Sequence, residues 1–356
     1  MNSSSIDELI SYGFIGRIVE QFQDYPDLEP ARVVRVDRQH LQVITAQGLM
    51  LVKTNHSCAT GDWLGLSSNE SGETVVSAVL PRSTQLVRKA AFDLSTESQV
   101  LAANIDFVGV VVPIDRPHSP GRLERMLVAA WDSGAMPLVI LTKADLADGV
   151  NGNDDVVAAV IEQAPGVQVI TTSAEQGDGI DALREQLPPG STLTFLGPSG
   201  AGKSSLINAL VGSQQQDTGA VRDGDFKGKH TTTSRELIPL AGGAVLMDAP
   251  GVRGFEVADA GDGMAKVFGD IEGLFENCRF NDCQHRFEPG CAVQEALQNG
   301  SLEHRRWESY QKMGREMARL AKRKDTALRR ADSRSAGKAY KSFKKIRDQS
   351  RAEKLS

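Results

Sequence analysis

Between Ala31 and Leu80 apolar and polar residues alternate in short runs, and from about Val100 the texture changes to short apolar segments separated by amphipathic ones. The first pattern has the period of two expected of half-buried strands. It predicts strands over Ala31–Val36, Leu41–Thr45, Leu49–Lys53, Trp63–Leu66 and Thr74–Leu80, punctuated by turn signals at Asp37, Gly48, Gly61 and Ser71-Gly72. Five strands in about 50 residues fit a small barrel of the OB type, a common platform for nucleic acid; the pattern does not separate this from an SH3-like barrel. Trp63 is its one candidate for base stacking.

The second pattern is α/β alternation. Strands are predicted at Phe107–Val112, Leu138–Leu141, Val167–Ile170 and Leu193–Leu196, with a final pair at Glu236–Pro239 and Ala244–Met247. Helices are predicted at Arg122–Trp131, where Leu123, Met126, Leu127 and Ala130 share a face, and at Asp154–Gln163, Ile180–Gln186 and Lys203–Leu210. After Ser301 the pattern is helical, with Trp307, Tyr310 and Met313 at spacings of three. Beyond about Ala331 no apolar face persists, and partial disorder or folding upon binding is expected. The chain therefore divides into a flexible N-terminal arm (1–30), a five-stranded OB-type domain (31–90), an α/β domain (91–255), a metal-binding segment (256–315) and a basic extension (316–356). The arm is inferred from Gly13, Gly16 and the acidic, proline-bearing run Asp24–Pro30, which lack sustained periodicity.

A length of 356 residues suits two or three domains, and 40% hydrophobic with 24% charged residues is ordinary for a soluble globular protein. The longest strongly apolar stretch, Phe107–Val112, is far short of the roughly 20 residues a membrane helix needs. The start lacks a secretory pattern, so a cytoplasmic protein without a membrane role is expected. The net charge of −6 conceals an asymmetry: Ser301–Ser356 carries 18 Lys and Arg against 7 Asp and Glu, while the preceding 300 residues carry 22 against 39. A basic tail on an acidic body points to a polyanionic partner, set against the plainer reading of a solvated charged helix.

Candidate chemistry clusters at the strand ends, where open α/β sheets place their ligands. Gly197-Pro198-Ser199-Gly200-Ala201-Gly202-Lys203-Ser204 is a complete G-x-x-x-x-G-K-[ST] between a predicted strand and helix. Such a loop aims backbone N–H groups at phosphate, and the following helix adds its positive dipole end. Lys203 is predicted to reach the β- and γ-phosphates and Ser204 to ligate Mg²⁺, with Thr231 or Thr232 and Asp248 as further magnesium candidates and Gly251 donating to the γ-phosphate. Thr142-Lys143-Ala144-Asp145 fits a guanine reader. Its carboxylate can accept both N1–H and the 2-amino group, and Ser173-Ala174 can offer a backbone N–H to guanine O6. Asp145 precedes Gly197 by 52 residues, whereas ordinary GTP-binding domains place the base reader last. Val252 occupies the place of a water-orienting glutamine, which predicts slow intrinsic hydrolysis. His230 is the nearest catalytic candidate, weighed against an ordinary exposed loop histidine, with Lys203, Thr231 and Thr232 beside it in the catalytic set.

Cys278-x₄-Cys283-x-His285-x₅-Cys291 places three thiols and an imidazole within 14 residues, a set that fills all four positions of tetrahedral zinc and predicts a structural site. Cys58 stands apart as an inert thiol.

The combination of small barrel, rotated nucleotide motifs, Gly228-Lys-His-Thr-Thr-Thr233, Asp248-Ala-Pro-Gly-Val-Arg253 and the Cys/His knuckle resembles the circularly permuted, ribosome small-subunit-dependent GTPase A (RsgA) family over about residues 31 to 315. The resemblance implies an OB domain, a circularly permuted P-loop GTPase domain and a small C-terminal zinc-binding helical domain. It implies one zinc per chain, Mg²⁺ with GTP, and nucleotide contacts on Thr142–Asp145 and Gly197–Ser205; a monomer is expected, although the sequence carries no mark of oligomeric state. It also implies late maturation of the small ribosomal subunit through its rRNA, with hydrolysis to GDP stimulated by the subunit and a histidine at the place of His230 assisting. Thr142, where asparagine is usual, and the basic tail after about Met317 depart from the family pattern. Since Asp248–Gly251 leads within a few residues into the zinc segment, nucleotide state is expected to alter how barrel and zinc segment jointly hold RNA. The competing readings are a signalling or transport GTPase with a protein partner, an ATP-dependent nucleic-acid enzyme, and a non-enzymatic RNA-binding factor.

Overall fold

The computed structural model describes residues 3–37, 40–88, 99–146, 152–212, 236–248 and 262–319, together with Lys322. Five strands, β1 (Glu29–Val36), β2 (Leu41–Thr45), β3 (Gly48–Val52), β4 (Trp63–Ser68) and β5 (Thr74–Val79), form an antiparallel OB-like sheet in the order β3-β2-β1-β4-β5. The edge strands β3 and β5 approach one another, curling the sheet. Side chains alternate as the period of two requires: Ala31, Val33, Leu41, Val43, Leu64 and Leu66 fill the inside. Val34, Ile44 and Trp63 point the other way, into a second core.

That second core explains why residues 3–28, expected as a flexible arm, are packed on the barrel in this structure. Two short helices, α1 (Ser3–Ser11) and α2 (Arg17–Phe22), place Leu9, Phe14, Ile18 and Phe22 against the barrel. Trp63 is only 2% exposed, with its ring 5.6 Å from Phe14 and 6.5 Å from Phe22. It is therefore a packing residue and offers no face to a nucleobase. Gly13 and Gly16, both at positive φ, break the helical signal into pieces too short to read as periodic.

A two-stranded ladder, β6 (Gln85–Arg88) with β7 (Gln99–Ala103), leads into the α/β domain. There β8 (Phe107–Pro113), β9 (Met136–Thr142), β10 (Gln168–Thr171), β11 (Thr192–Leu196), β12 (Glu236–Pro239) and β13 (Val245–Asp248) form one sheet in the order β10-β9-β8-β11-β13-β12. All neighbours are parallel except β12 and β13. Both faces are covered, so successive residues feed opposite cores. Val108, Val110, Val139 and Leu141 pack toward α3 (Pro120–Asp132), with α4 (Gly152–Gln163) on the same side. Val111, Leu138, Ile140 and Phe195 pack toward α5 (Ile180–Glu185) and α6 (Lys203–Val211). This two-sided burial is why β8 reads as an unbroken apolar run.

The C-terminal segment contains α7 (Asp262–Val267), α8 (Gly269–Phe275), α9 (Ala292–Asn299) and a helix over 304–319, here α10. Its apolar residues do not depend on a metal alone. Phe268, Ile271, Val293, Trp307 and Met313 join the core that contains Leu123 and Leu127 of α3. Gly263 lets α7 approach closely, since a Cβ there would sit 2.5 Å from the Val128 carbonyl oxygen. Glu124 on α3 is fully buried, and it accepts hydrogen bonds from Arg305 (3.1 Å), Arg306 (3.3 Å) and the Ser309 hydroxyl. Arg125 Nη1 donates to both carboxylate oxygens of Glu316, at 2.9 and 2.8 Å. The rest of the basic extension, after Lys322, lies outside the described residues.

Barrel and α/β sheet are joined by Arg32 of β1, 2% exposed. Its guanidinium donates to the Tyr12 carbonyl, the Asn104 carbonyl (3.2 Å) and Thr192 Oγ1 (2.9 Å), and lies 5.1 Å from the Trp63 ring centroid. Burial pulls its pKa down to about 10, partly countered by Asp106 and Asp62, so it remains charged at neutral pH. Arg32→Ala strands these acceptors, and urea unfolding is expected to show a loss of about 3 kcal/mol. A change below about 0.5 kcal/mol, the range of an ordinary surface substitution, would show that Arg32 does not hold the junction.

Candidate functional site

The anion loop runs from the end of β11 to the start of α6. Its turn needs glycine where it bends: Gly200 and Gly202 have φ of 74° and 88°. At Gly197 a Cβ would meet the Val111 carbonyl oxygen at 2.9 Å, so the loop leaves β11 pressed against β8. Lys203 opens α6 and turns its ammonium back on the loop, donating to the carbonyls of Gly197 and Pro198, both at 2.8 Å. Burial lowers its pKa below the ordinary lysine value. Ser204 and Ser205 follow in the first turn of α6, at the positive end of the helix dipole.

Two strands away, β9 ends on Thr142. Strand spacing puts the ends of β9 and β11 roughly 10 Å apart, across β8, and the loops close that distance. Thr142 Oγ1 donates to the Ala201 carbonyl at 2.6 Å, tying the Thr142–Asp145 segment to the anion loop. Lys143 sits at φ 65°, which turns the chain into the short helical turn Ala144–Leu146. Asp145 Oδ1 accepts from Ser173 Oγ at 2.6 Å. The Ser173 N–H is already bonded to the Asp178 carbonyl at 2.9 Å, which leaves the Ala174 N–H as the donor of that pair for a ligand. Thr142, Lys143, Ala144, Asp145, Ser173 and Ala174 are thus brought into one neighbourhood with Gly197–Ser205. Asp248 closes β13, parallel to β11, on the same edge of the sheet. His230, Thr231, Thr232, Gly251 and Val252 lie outside the described residues.

Two residues outside every sequence motif also belong to this neighbourhood. After β8 the chain passes through Asp115 and Arg116. Asp115 Oδ2 accepts from Lys143 Nζ at 2.6 Å, while Arg116 Nη2 donates to the Gly200 carbonyl at 3.2 Å. The hydrogen bond from Lys143 holds the Asp115 carboxyl below its ordinary pKa. These neighbours brace the Thr142–Asp145 segment and the Gly197–Ser204 loop from between. The strand-end rule that located the other motifs applied equally to the end of Phe107–Val112.

The ligand atoms of Cys278, Cys283, His285 and Cys291 all lie within 4.8 Å of one another. His285 Nδ1 is 3.5 Å from Cys278 Sγ and 3.6 Å from Cys291 Sγ. A tetrahedral zinc ion with ordinary Zn–S and Zn–N bonds requires an S···N separation of about 3.5 Å, so the set fits zinc with Nδ1 as ligand. The imidazole is fixed by stacking on Phe275 (centroids 4.2 Å apart, planes at 18°) and by the edge-on Trp307 at 6.0 Å. Gln294 Nε2 holds the His285 carbonyl at 2.8 Å.

A family model described as RsgA GTPase matches residues 79–258. The chain is 44% identical over 336 residues to a small ribosomal subunit biogenesis GTPase RsgA of Streptomyces coelicolor, covering 92% of this chain and 91% of that one. The chain belongs to the RsgA GTPase family. A second RsgA relative, from Streptomyces avermitilis, is 42% identical over 92% of this chain and 90% of its own. Among solved structures, YjeQ from Thermotoga maritima aligns with a TM-score of 0.59 at 26% identity, over 82% of this chain and 98% of that one. YloQ, described as a circularly permuted GTPase, gives 0.58 at 21% identity, over 83% and 96%, and shares the fold.

In this RsgA chain the metal set closes a loop whose ends are α8 and α9, both packed in the common core. Metal loss should therefore loosen the loop before the core. Purified protein is expected to carry about one zinc per chain by elemental analysis. Cys283→Ser should lose it, with increased proteolysis confined to residues 276–291. Full zinc content in that variant would contradict the four-ligand assignment.

Proposed function

We propose that the protein is a GTP-hydrolysing biogenesis factor of the small ribosomal subunit, acting as a cytoplasmic monomer on the subunit and its rRNA. The observation that carries this reading is the tie between the Thr142–Asp145 segment and the loop Gly197–Ser204. It supports one pocket for guanine and phosphate in a chain whose relatives are named as such GTPases.

In this reading the carboxylate of Asp145, oriented by Ser173, accepts guanine N1–H and the 2-amino group, and the Ala174 N–H meets O6. Adenine lacks that pair of donors, which disfavours the ATP-dependent alternative. The N–H groups from Pro198 to Ser205 hold the phosphates, except that proline itself has none to give, and Gly197 allows the loop its close approach. Lys203 leaves the carbonyls of Gly197 and Pro198 for the β- and γ-phosphate oxygens, whose charge offsets the cost of its burial. Magnesium bound with GTP supplies charge neutralisation at the breaking P–O bond, with Ser204 and Thr231 or Thr232 as its proposed holders and Asp248 acting through water. Gly251 donates to the γ-phosphate.

Val252 has no group to orient water, so intrinsic turnover is slow and the subunit completes the site, with His230 as the assisting residue. One structural zinc holds the Cys278–Cys291 loop. A route from nucleotide to zinc segment is available in α3: its leading loop carries Asp115 and Arg116, and its body carries Glu124 and Arg125. GTP turnover is expected to rise by roughly tenfold or more on adding purified small subunits, and Lys203→Ala should abolish both rates. Turnover indifferent to subunits would favour a protein-partnered GTPase, and absent turnover in their presence a non-enzymatic RNA-binding factor.

A further inference from the structure

Among the described residues, the rings of Phe, Tyr and Trp are buried or half-buried except at two places, and both are in the metal knuckle. Phe280 is 42% exposed and Phe287 is 95% exposed. Phe287 is on a loop that is not loose. Glu288 turns its carboxylate inward and accepts the backbone N–H groups of Gln284 (3.0 Å), Arg286 (2.8 Å) and Phe287 itself (3.0 Å). The metal ligand His285 stands two residues before the ring and Cys291 four residues after it. A clamped loop therefore displays an aromatic ring fully to solvent, against the tendency of such rings to be buried.

The surroundings indicate what the ring is for. Arg286 adjoins it and is exposed, while Arg279 is exposed on the same knuckle and lies 5.5 Å from the centre of the Phe280 ring. Arg279 is held in place through its N–H, bonded to the Gly290 carbonyl at 3.0 Å, with its stem against Gly290. Exposed rings with arginines beside them in the chain and on the same knuckle suit a nucleobase flanked by phosphates. The neighbouring exposed residues Asn281, Asp282 and Gln284 are polar, so the contiguous apolar centre of a protein–protein interface is lacking here. Within the barrel, the ring that might have served, Trp63, is buried.

We propose that the knuckle tip is a base-stacking site. The Phe287 ring takes the face of an unpaired nucleobase in the RNA of the small subunit, with Arg286 and Arg279 on the adjoining phosphates. This rests on the small subunit being the partner, and it assigns the contact to a part of the chain that takes no part in nucleotide binding.

The test is equilibrium binding of full-length, zinc-loaded protein to purified small subunits, comparing wild type with Phe287→Ala, Phe287→Leu and Phe287→Trp. Zinc content and basal GTP turnover check that each variant is folded. Phe287→Ala should bind roughly tenfold more weakly. Phe287→Leu should be as weak as the alanine variant, because an aliphatic group of similar bulk has no ring face. Phe287→Trp should bind like wild type, and its added fluorescence should be quenched on binding. Equal binding by Phe287→Ala and wild type would overturn the stacking site alone. Restored binding by Phe287→Leu would also overturn it and indicate an apolar protein contact. A wild type that does not bind small subunits would sink both this inference and the function on which it rests.

Discussion

The hydroxyl of Thr142 and the carbonyl of Ala201 are 59 positions apart in the chain and 2.6 Å apart in space. On that contact depends the joining of the Thr142–Asp145 segment, proposed to read the base, to the Gly197–Ser204 loop. Parallel strands bring it about: β8 lies between β9 and β11, and all three deliver their following loops to one edge. Chain order is irrelevant to that geometry, because a sheet is defined by which strands are neighbours. Placing the Thr142–Asp145 half ahead of the Gly197–Ser204 loop therefore keeps the two together in space while changing what is attached to their ends. The hydroxyl of Thr142 itself supplies the hydrogen bond that ties them.

What the rearrangement changes is mechanical. In chain order β13 now precedes α7, which is packed on α3 through Gly263, while the loop before α3 touches both Lys143 and Gly200. The buried Glu124 would be costly if unpaired, and the two arginines and the serine that meet it come from α10. The loop that leads into α3 is thus in contact with Lys143 and Gly200, and the body of the helix with the C-terminal segment. At the other side, Arg32 fastens the barrel to Thr192 at the start of β11, the strand whose far end leads into the Gly197–Ser204 loop. Both flanking units are attached to elements of the α/β domain.

The most legible parts of the sequence were those whose chemistry is contiguous. The Gly197–Ser204 loop, the Thr142–Asp145 segment and the Cys/His knuckle each fit within a short window, and the strands leading to the first two have strong apolar periods. The N-terminal helices were missed because two glycines cut the amphipathic signal into segments of 9 and 6 residues, each near the minimum for a period to register. The burial of Trp63 was hidden because its partners Phe14 and Phe22 belong to those helices. Arg32 looked like any basic residue on a strand; its acceptors lie up to 160 positions away. Asp115 and Arg116 fall in no motif and gain meaning only from Lys143 and Gly200, which folding brings beside them.

The central claim, that Asp145 reads guanine in a pocket shared with the phosphate loop, is tested most directly by exchanging the base and the residue together. Asp145→Asn keeps the oxygen that Ser173 binds and replaces the other acceptor with a donor, while xanthine carries a C2 carbonyl where guanine has an amino group. The account predicts that the variant loses affinity for GTP and gains affinity for xanthosine triphosphate, each on the order of 100-fold, with ATP weak throughout. Unchanged GTP affinity in Asp145→Asn, with no gain for the xanthine nucleotide, would contradict it.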